Sequence, residues 1–295
     1  MDYSKEFIDY LKYEKRYSVH TIIAYQSDLF FFKNFYHEQY PGSTILHAHS
    51  KEIRAWVVEL MQKKISTRSI NRKLSTLKKY YKFLLREKVI ELNPMNKIIS
   101  PRVMKKLPNF IEEERVNFLL DDVMRGNDYA SWRDRMVVET LYNLGLRLSE
   151  IVNLEQEDID LYNLQVKVRG KRNKERIIPI SLKFRDLLKQ YFNILNDFSP
   201  ETGRKFVFFT DSGNQMYPKF VYRLVHKWIT QVSTTEKKSP HVMRHTFATH
   251  MLNRGADLNG IKELLGHANL SATQVYTHNS FKKLKDIYSK AHPRA

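Results

Sequence analysis

From the N-terminus to Asn93-Pro94, apolar residues recur at helical spacing. Phe7 and Leu11 open the pattern, and Ser18 suits the N-cap of a second helix whose apolar face carries Ile22, Tyr25, Leu29 and Phe32. The PGST run at Pro41–Thr44 breaks it. A third helix is predicted over Lys51–Lys63, and a long fourth one from a cap at Ser66 or Thr67 to Glu87. In the fourth helix Ile70, Leu74, Leu77, Tyr81 and Leu84 follow the rhythm of one buried stripe, with Tyr80 at the core or its rim. Arg68, Arg72, Lys79, Lys82 and Arg86 occupy much of the remaining face.

Past Asn93-Pro94 the pattern changes. Lys97–Phe110 (KIISPRVMKKLPNF) holds two prolines and reads as a basic linker. Glu112–Met124 and Trp132–Leu144 are predicted helices, and Asn163–Arg169 and Glu175–Ile180 are predicted strands around a polar turn, GKRNK. Lys205–Thr210 is either a third strand or a loop into the next helix. The remainder is predicted helical, with breaks at Gly255 and Gly266. The expected molecule is mainly α with a small β-sheet. Residues 1–96 form an all-helical domain, 97–110 a linker, and 111–295 an α+β domain.

Charge adds a partner to this picture. The chain has 50 Lys+Arg against 32 Asp+Glu, a net +18, which favours a polyanion, nucleic acid before membrane. The excess is concentrated: from Lys63 to Lys106 only Glu87 and Glu91 are acidic. The fourth helix would present its basic face to DNA, through Arg68, Arg72, Lys79 and Lys82, although spacing alone does not place it in a groove. There is no Cys, which removes disulfides and thiolate metal sites. The charged N-terminus has no apolar signal region and no run is long enough to span a membrane, so a soluble, cytoplasmic protein is expected.

Four segments hold the candidate chemistry. In LYNLGLRLSE a Gly interrupts an apolar helix before Arg147, and Glu150 is spaced to hold the guanidinium. In GKRNKER a basic turn carries Lys171, Arg172 and Lys174. In SPHVMRHTFATH, Ser239 and Pro240 suit the start of a helix, so His241 and Arg244 share the face of its first turn, where an anion is favoured. His245 and His250 read as packed helix residues. In LLGHANLSATQVYTH, Gly266 suits a helix end, His267 the connection, and Ser271 with Gln274 a capping box ahead of Tyr276. Each segment alone has a bland reading as salt bridge, exposed turn or core. Together they supply two Arg, a Lys, two His and a Tyr, the set that attack on a phosphodiester asks for. Arg forks neutralise charge on the non-bridging oxygens, Lys protonates a leaving oxygen, and His moves protons. Clustered carboxylates for a metal nuclease, a HExxH pattern and a P-loop are all missing, so neither metal nor cofactor is expected.

LGLRLSE, GKRNKER, HVMRHTFATHML and LLGHANLSATQVYTH resemble, in order and spacing, the active-site motifs of the tyrosine recombinase (phage integrase) family, and are similar to the compact Xer recombinases. SVHTIIAYQSDLFFF and TRSINRKLSTLKKYYKFLLREKVIELNP resemble that family's SAM-like core-binding domain, so the likeness spans nearly the whole chain. The resemblance implies that Arg147 and Arg244 clamp the scissile phosphate and that Lys171 protonates the 5′-hydroxyl. It gives His241 and His267 the task of bonding the phosphate and assisting proton transfer. Tyr276 would form a 3′-phosphotyrosyl bond, with Glu150 in support behind the arginines. It implies a homo- or hetero-tetramer on double-stranded DNA with a specific recombination site, passing through a Holliday junction, with Phe281–Ala291 docking on a neighbouring subunit. A paralogous recombinase and a septal DNA translocase are possible partners. Arg172 departs from the Gly that many relatives carry in the turn, and Lys174 stays open as a rival to Lys171. The chain shows no extra N-terminal arm-binding domain, which favours chromosome dimer resolution over phage integration. An integrase of a mobile element, a type IB topoisomerase and a silent DNA-binding protein remain as alternatives.

Overall fold

The computed structural model describes residues 2–103, 109–170, 174–198, 204–266 and 278–295, with the backbone alone for 278–280. The chain divides into two compact units, 1–106 and 107–295.

The first unit is all helical. Helix α1 (Ser4–Asp9) runs into a π-helical turn at Tyr10–Glu14, and α2 (Val19–Gln39), α3 (Ser50–Gln62) and α4 (Thr67–Arg86) follow. The predicted caps are present: the Ser18 hydroxyl accepts from the Thr21 N–H, and the Ser66 hydroxyl from the Ser69 N–H. The apolar stripe of α4 is buried in full, Tyr80 and Tyr81 included, against Phe7, Phe32 and Trp56. Asp28 fixes α2 to α4. It is fully buried and accepts from Arg72 Nη1 at 2.5 Å, Lys73 Nζ at 3.2 Å and Thr76 Oγ1 at 2.9 Å. A buried carboxylate needs such partners, since alone it would be costly to desolvate.

In the second unit α5 (Glu113–Phe118) and α6 (Tyr129–Leu144) precede the short α7 (Leu148–Val152). A three-stranded antiparallel sheet follows, β1 (Ile159–Asp160), β2 (Gln165–Arg169) and β3 (Glu175–Pro179), in the order β1-β2-β3. Then come α8 (Leu182–Phe198), α9 (Pro218–Val232), α10 (Pro240–Asn253), α11 (Leu258–Leu265) and α12 (His278–Ala291). Helix α6 is buried along nearly its whole length, which is why its sequence shows little amphipathic contrast. It packs on α8 and α10.

The third strand is Ile159–Asp160, not Lys205–Thr210. The latter is an extended loop that touches its neighbours through isolated bridges, Glu155 with Phe206 and Phe209 with Gln215, while Val207 and Phe208 fill the core. Helix α12 lies on its own unit, against β3, α10 and α11, with Leu284, Tyr288 and Ala291 buried. The residues after it are tied down as well. His292 donates from Nε2 to the Tyr142 carbonyl, and the buried Arg294 grips both oxygens of Asp121 and Glu139 Oε1. Among the described residues no helix is long and apolar enough to cross a membrane.

Candidate active site

Gly145 ends α6 with a left-handed φ of 57°, and a Cβ there would collide with Phe247 at 2.7 Å and Leu265 at 2.9 Å. This turn puts Arg147 at the N-cap of α7, and the cap is closed by Glu150, whose Oε2 accepts from the Arg147 N–H at 2.8 Å. Oε1 of the same carboxylate accepts from Arg147 Nη1 at 2.6 Å. The expected Arg147–Glu150 pair therefore exists.

Glu150 has a second partner that the sequence reading missed. Arg176 of β3, itself buried, donates Nη1 and Nη2 to the two oxygens of Glu150 at 3.0 and 2.8 Å. The signal was available in the strand's alternation, which places Arg176 on the same inward face as Ile178. Burial alone would push the Glu150 carboxyl up, but the Arg176 hydrogen bonds and charge, helped by Arg147, hold it down at about 2.

The C-terminus of α11 organises the cations. Three successive carbonyls there, left without helical partners, each accept from a different arginine. Arg176 Nε reaches Leu264 at 2.7 Å, Arg244 Nη2 reaches Leu265 at 2.6 Å, and Arg147 Nη2 reaches Gly266 at 2.9 Å. Gly266 closes the helix with φ 64°, and a Cβ on it would press on Arg176 Cδ at 3.0 Å. Arg244 is fixed a second time by Nη1 to the Gly145 carbonyl at 2.6 Å. It makes no close carboxylate contact, with Glu150 3.8 Å away. Its burial, and then the charges of Arg147 and Arg176, lower its titration to about 9.

His241 and Arg244 share the first turn of α10 as expected, with His241 exposed and Arg244 buried. Pro240 takes the first helical position, but the Ser239 side chain makes no cap bond; its carbonyl accepts from the Val242 N–H instead. Arg147, His241 and Arg244 line one open cleft of about 500 Å³ with Leu146, Leu148, Tyr222, Ser239 and Pro240. Tyr222 was not foreseen; it reaches the cleft from α9, whose exposed face is polar. His250 packs as expected, with Nδ1 against the Tyr142 hydroxyl at 2.8 Å.

Lys171, Arg172, His267 and Tyr276 lie outside the described residues. The base of the turn that carries Lys171 and Arg172 is described. The Gly170 N–H donates to the Lys174 carbonyl at 2.8 Å, and a Cβ on Gly170 would sit 3.8 Å from Glu150 Oε1. Lys174 is exposed. In the first unit Arg68, Arg72, Lys79 and Lys82 are all exposed on α4, yet two of them are engaged. Arg72 is bonded to Asp28, and Lys79 donates to the Tyr17 hydroxyl at 2.6 Å and lies over the Tyr17 and Tyr25 rings.

Comparison with known proteins agrees with this geometry. The phage integrase family matches residues 109–283, and the N-terminal SAM-like domain of phage integrases matches residues 5–88. A tyrosine recombinase XerC from Chlorobaculum parvum is 39% identical over 317 aligned positions, covering 98% of this chain and 94% of that protein. Among solved structures, the XerH site-specific recombinase in a post-cleavage complex with palindromic difH substrate superposes with a TM-score of 0.72 at 20% identity, over 97% of this chain and 84% of that one. The Tn1549 transposon integrase in complex with transposon right-end DNA gives 0.69 at 17% identity, over 97% and 99%. With both halves matched and the arginine cleft assembled, the chain belongs to the phage integrase family, as a site-specific tyrosine recombinase of the Xer type.

Proposed function

We propose that the cleft between α7 and α10 takes the scissile phosphate of double-stranded DNA and that Tyr276 is the nucleophile. The carrying observation is charge: three guanidinium groups converge on the end of α11 with one carboxylate, Glu150, among them. The excess of positive charge has its complement in a phosphodiester whose non-bridging oxygens gain charge during attack. Arg147, partly open to the cleft, and Arg244, at its wall, serve as the clamp, and His241 donates to a phosphate oxygen. The Tyr276 phenolate oxygen bonds to phosphorus, and the P–O5′ bond breaks. The phenol's proton passes to a histidine, His267 or His241, while Lys171 gives its proton to the departing 5′ oxygen, with Lys174 as the other candidate. Rejoining reverses these steps with a 5′-hydroxyl of another strand. The ester keeps the bond energy, so the exchange runs without a nucleotide cofactor.

The net charge of +18 supports DNA as partner. The likeness to Xer proteins supports a cytoplasmic enzyme acting as a tetramer on two recombination sites through a Holliday junction, in chromosome dimer resolution. A nicked suicide duplex tests the chemistry. The wild-type protein is expected to form a denaturation-resistant adduct with its 3′-phosphate, and Tyr276→Phe none. Absence of an adduct with the wild type on its own site would end this reading. Sequencing the DNA trapped on the protein in cells separates a chromosomal site from the ends of a mobile element.

A further inference from the structure

We infer that Arg176 is a positioning residue for strand cleavage, tying the β2–β3 turn, Glu150 and the end of α11 into one unit that sets where Arg147 and Arg244 stand. This rests on the proposed reading of the cleft. Arg176 is buried and is not among the residues that line the cleft. It spends all three donor nitrogens inside the protein, two on Glu150 and one on the Leu264 carbonyl.

Each of those contacts leads to a group of the clamp. Glu150 is the side-chain partner of Arg147 and also accepts from its backbone. Leu264 is followed directly by the carbonyls that Arg244 and Arg147 use. Arg176 pairs with Val168 across the hairpin, whose turn carries Lys171 and Lys174, and the base of that turn at Gly170 faces Glu150. One planar fork thus joins three chain segments far apart in sequence. A lysine has a single charged nitrogen with no fixed fork, so it cannot hold two carboxylate oxygens and a carbonyl at once in that plane. The role differs from bulk packing because it acts through a carboxylate that must stay ionised. Without Arg176, burial pushes the Glu150 carboxyl upward, and a protonated Glu150 no longer anchors the Arg147 guanidinium as an ion pair.

The experiment is single-turnover cleavage of a nicked suicide duplex by wild type, Arg176→Lys, Arg176→Met and Tyr276→Phe, with DNA affinity and thermal unfolding measured in parallel. Arg176→Lys keeps the charge and is expected to fold and to bind DNA within about threefold of wild type, yet to cleave about 10²-fold more slowly, the loss that misplacement by about 1 Å produces. Arg176→Met is expected to lose further rate as the pH drops from 7 to 5, relative to wild type. Cleavage by Arg176→Lys within twofold of wild type would overturn the proposal. So would a folded Arg176→Met whose pH profile runs parallel to wild type, since that pattern belongs to a merely structural arginine. If Arg176→Met does not fold, the Arg176→Lys rate decides alone. Failure of the underlying reading has a different signature, because wild type then gives no adduct, or Tyr276→Phe gives the same one.

Discussion

His292 and Glu150 are both held in one protonation state by their surroundings, and for opposite reasons. Burial lowers the His292 imidazole from its ordinary 6.5 to about 3, with its Nδ1 accepting from the Arg294 N–H. Between pH 3 and 6.5 the unfolded chain then binds a proton at this site that the folded chain refuses, so stability falls as the pH drops through that window. The thermal unfolding midpoint is expected to decline from pH 7 to pH 5, and less steeply in His292→Gln; equal slopes would remove His292 as the cause. Glu150, at about 2, adds its loss only below its ordinary 4.5, outside that experiment. The local arrangement of the arginine cleft was legible in sequence where a motif carried it: Arg147 pairs with Glu150, His241 and Arg244 share a helical turn, and Gly145 and Gly266 end their helices. That these segments come together was implied only by the resemblance. Arg176 was not legible, because it was read with the polar turn beside it. An arginine inside a short strand becomes visible only through the strand's period of two, and its partners are 26 and 88 residues away.

Among the elements, α4 shows how far a helix can be read from its pattern. Its stripe and caps were predictable because they depend on local spacing and on which side faces the core. What its basic face does was less so. Arg72 answers the buried Asp28 of α2, and Lys79 lies over Tyr17 and Tyr25, contacts that spacing within α4 cannot reveal. Among the described residues Arg68 and Lys82 make no such contact, and they are the better candidates for DNA phosphates. Replacing both with alanine is expected to weaken DNA binding and to make the slope of log K against log salt shallower by about 2, near 0.9 per phosphate contact. A slope unchanged in a titration from low to physiological salt would mean that these two side chains face away from DNA. The sheet was half legible for a similar reason. The β2–β3 hairpin carries alternating apolar residues, whereas β1 is two residues of a polar stretch that pairs because β2 offers it an edge.

For the whole molecule, composition named the partner and the helical periodicity named the class, since a net charge of +18 and helical spacing are properties of many residues at once. The C-terminal segment is held by a few long-range contacts, which tie α12 and the residues after it to the second unit. Arg294 is central to that attachment, because Glu139 is fully buried and burial already pushes its carboxyl up. Arg294→Ala is expected to cost the catalytic unit about 3–5 kcal/mol, the range for a buried pair left with one partner. Chemical denaturation measures it, and a loss below about 1 kcal/mol would show that the tail is not anchored here. The end of α11 has a consequence for how this protein varies. The arginines read its carbonyl oxygens, not its side chains, so many substitutions along the helix leave the cleft's framework intact. One residue inserted or deleted in α11 turns every carbonyl by about 100° and offers each arginine the wrong one. Related sequences are therefore expected to keep the length of this helix more strictly than its exposed side chains, which an alignment would check.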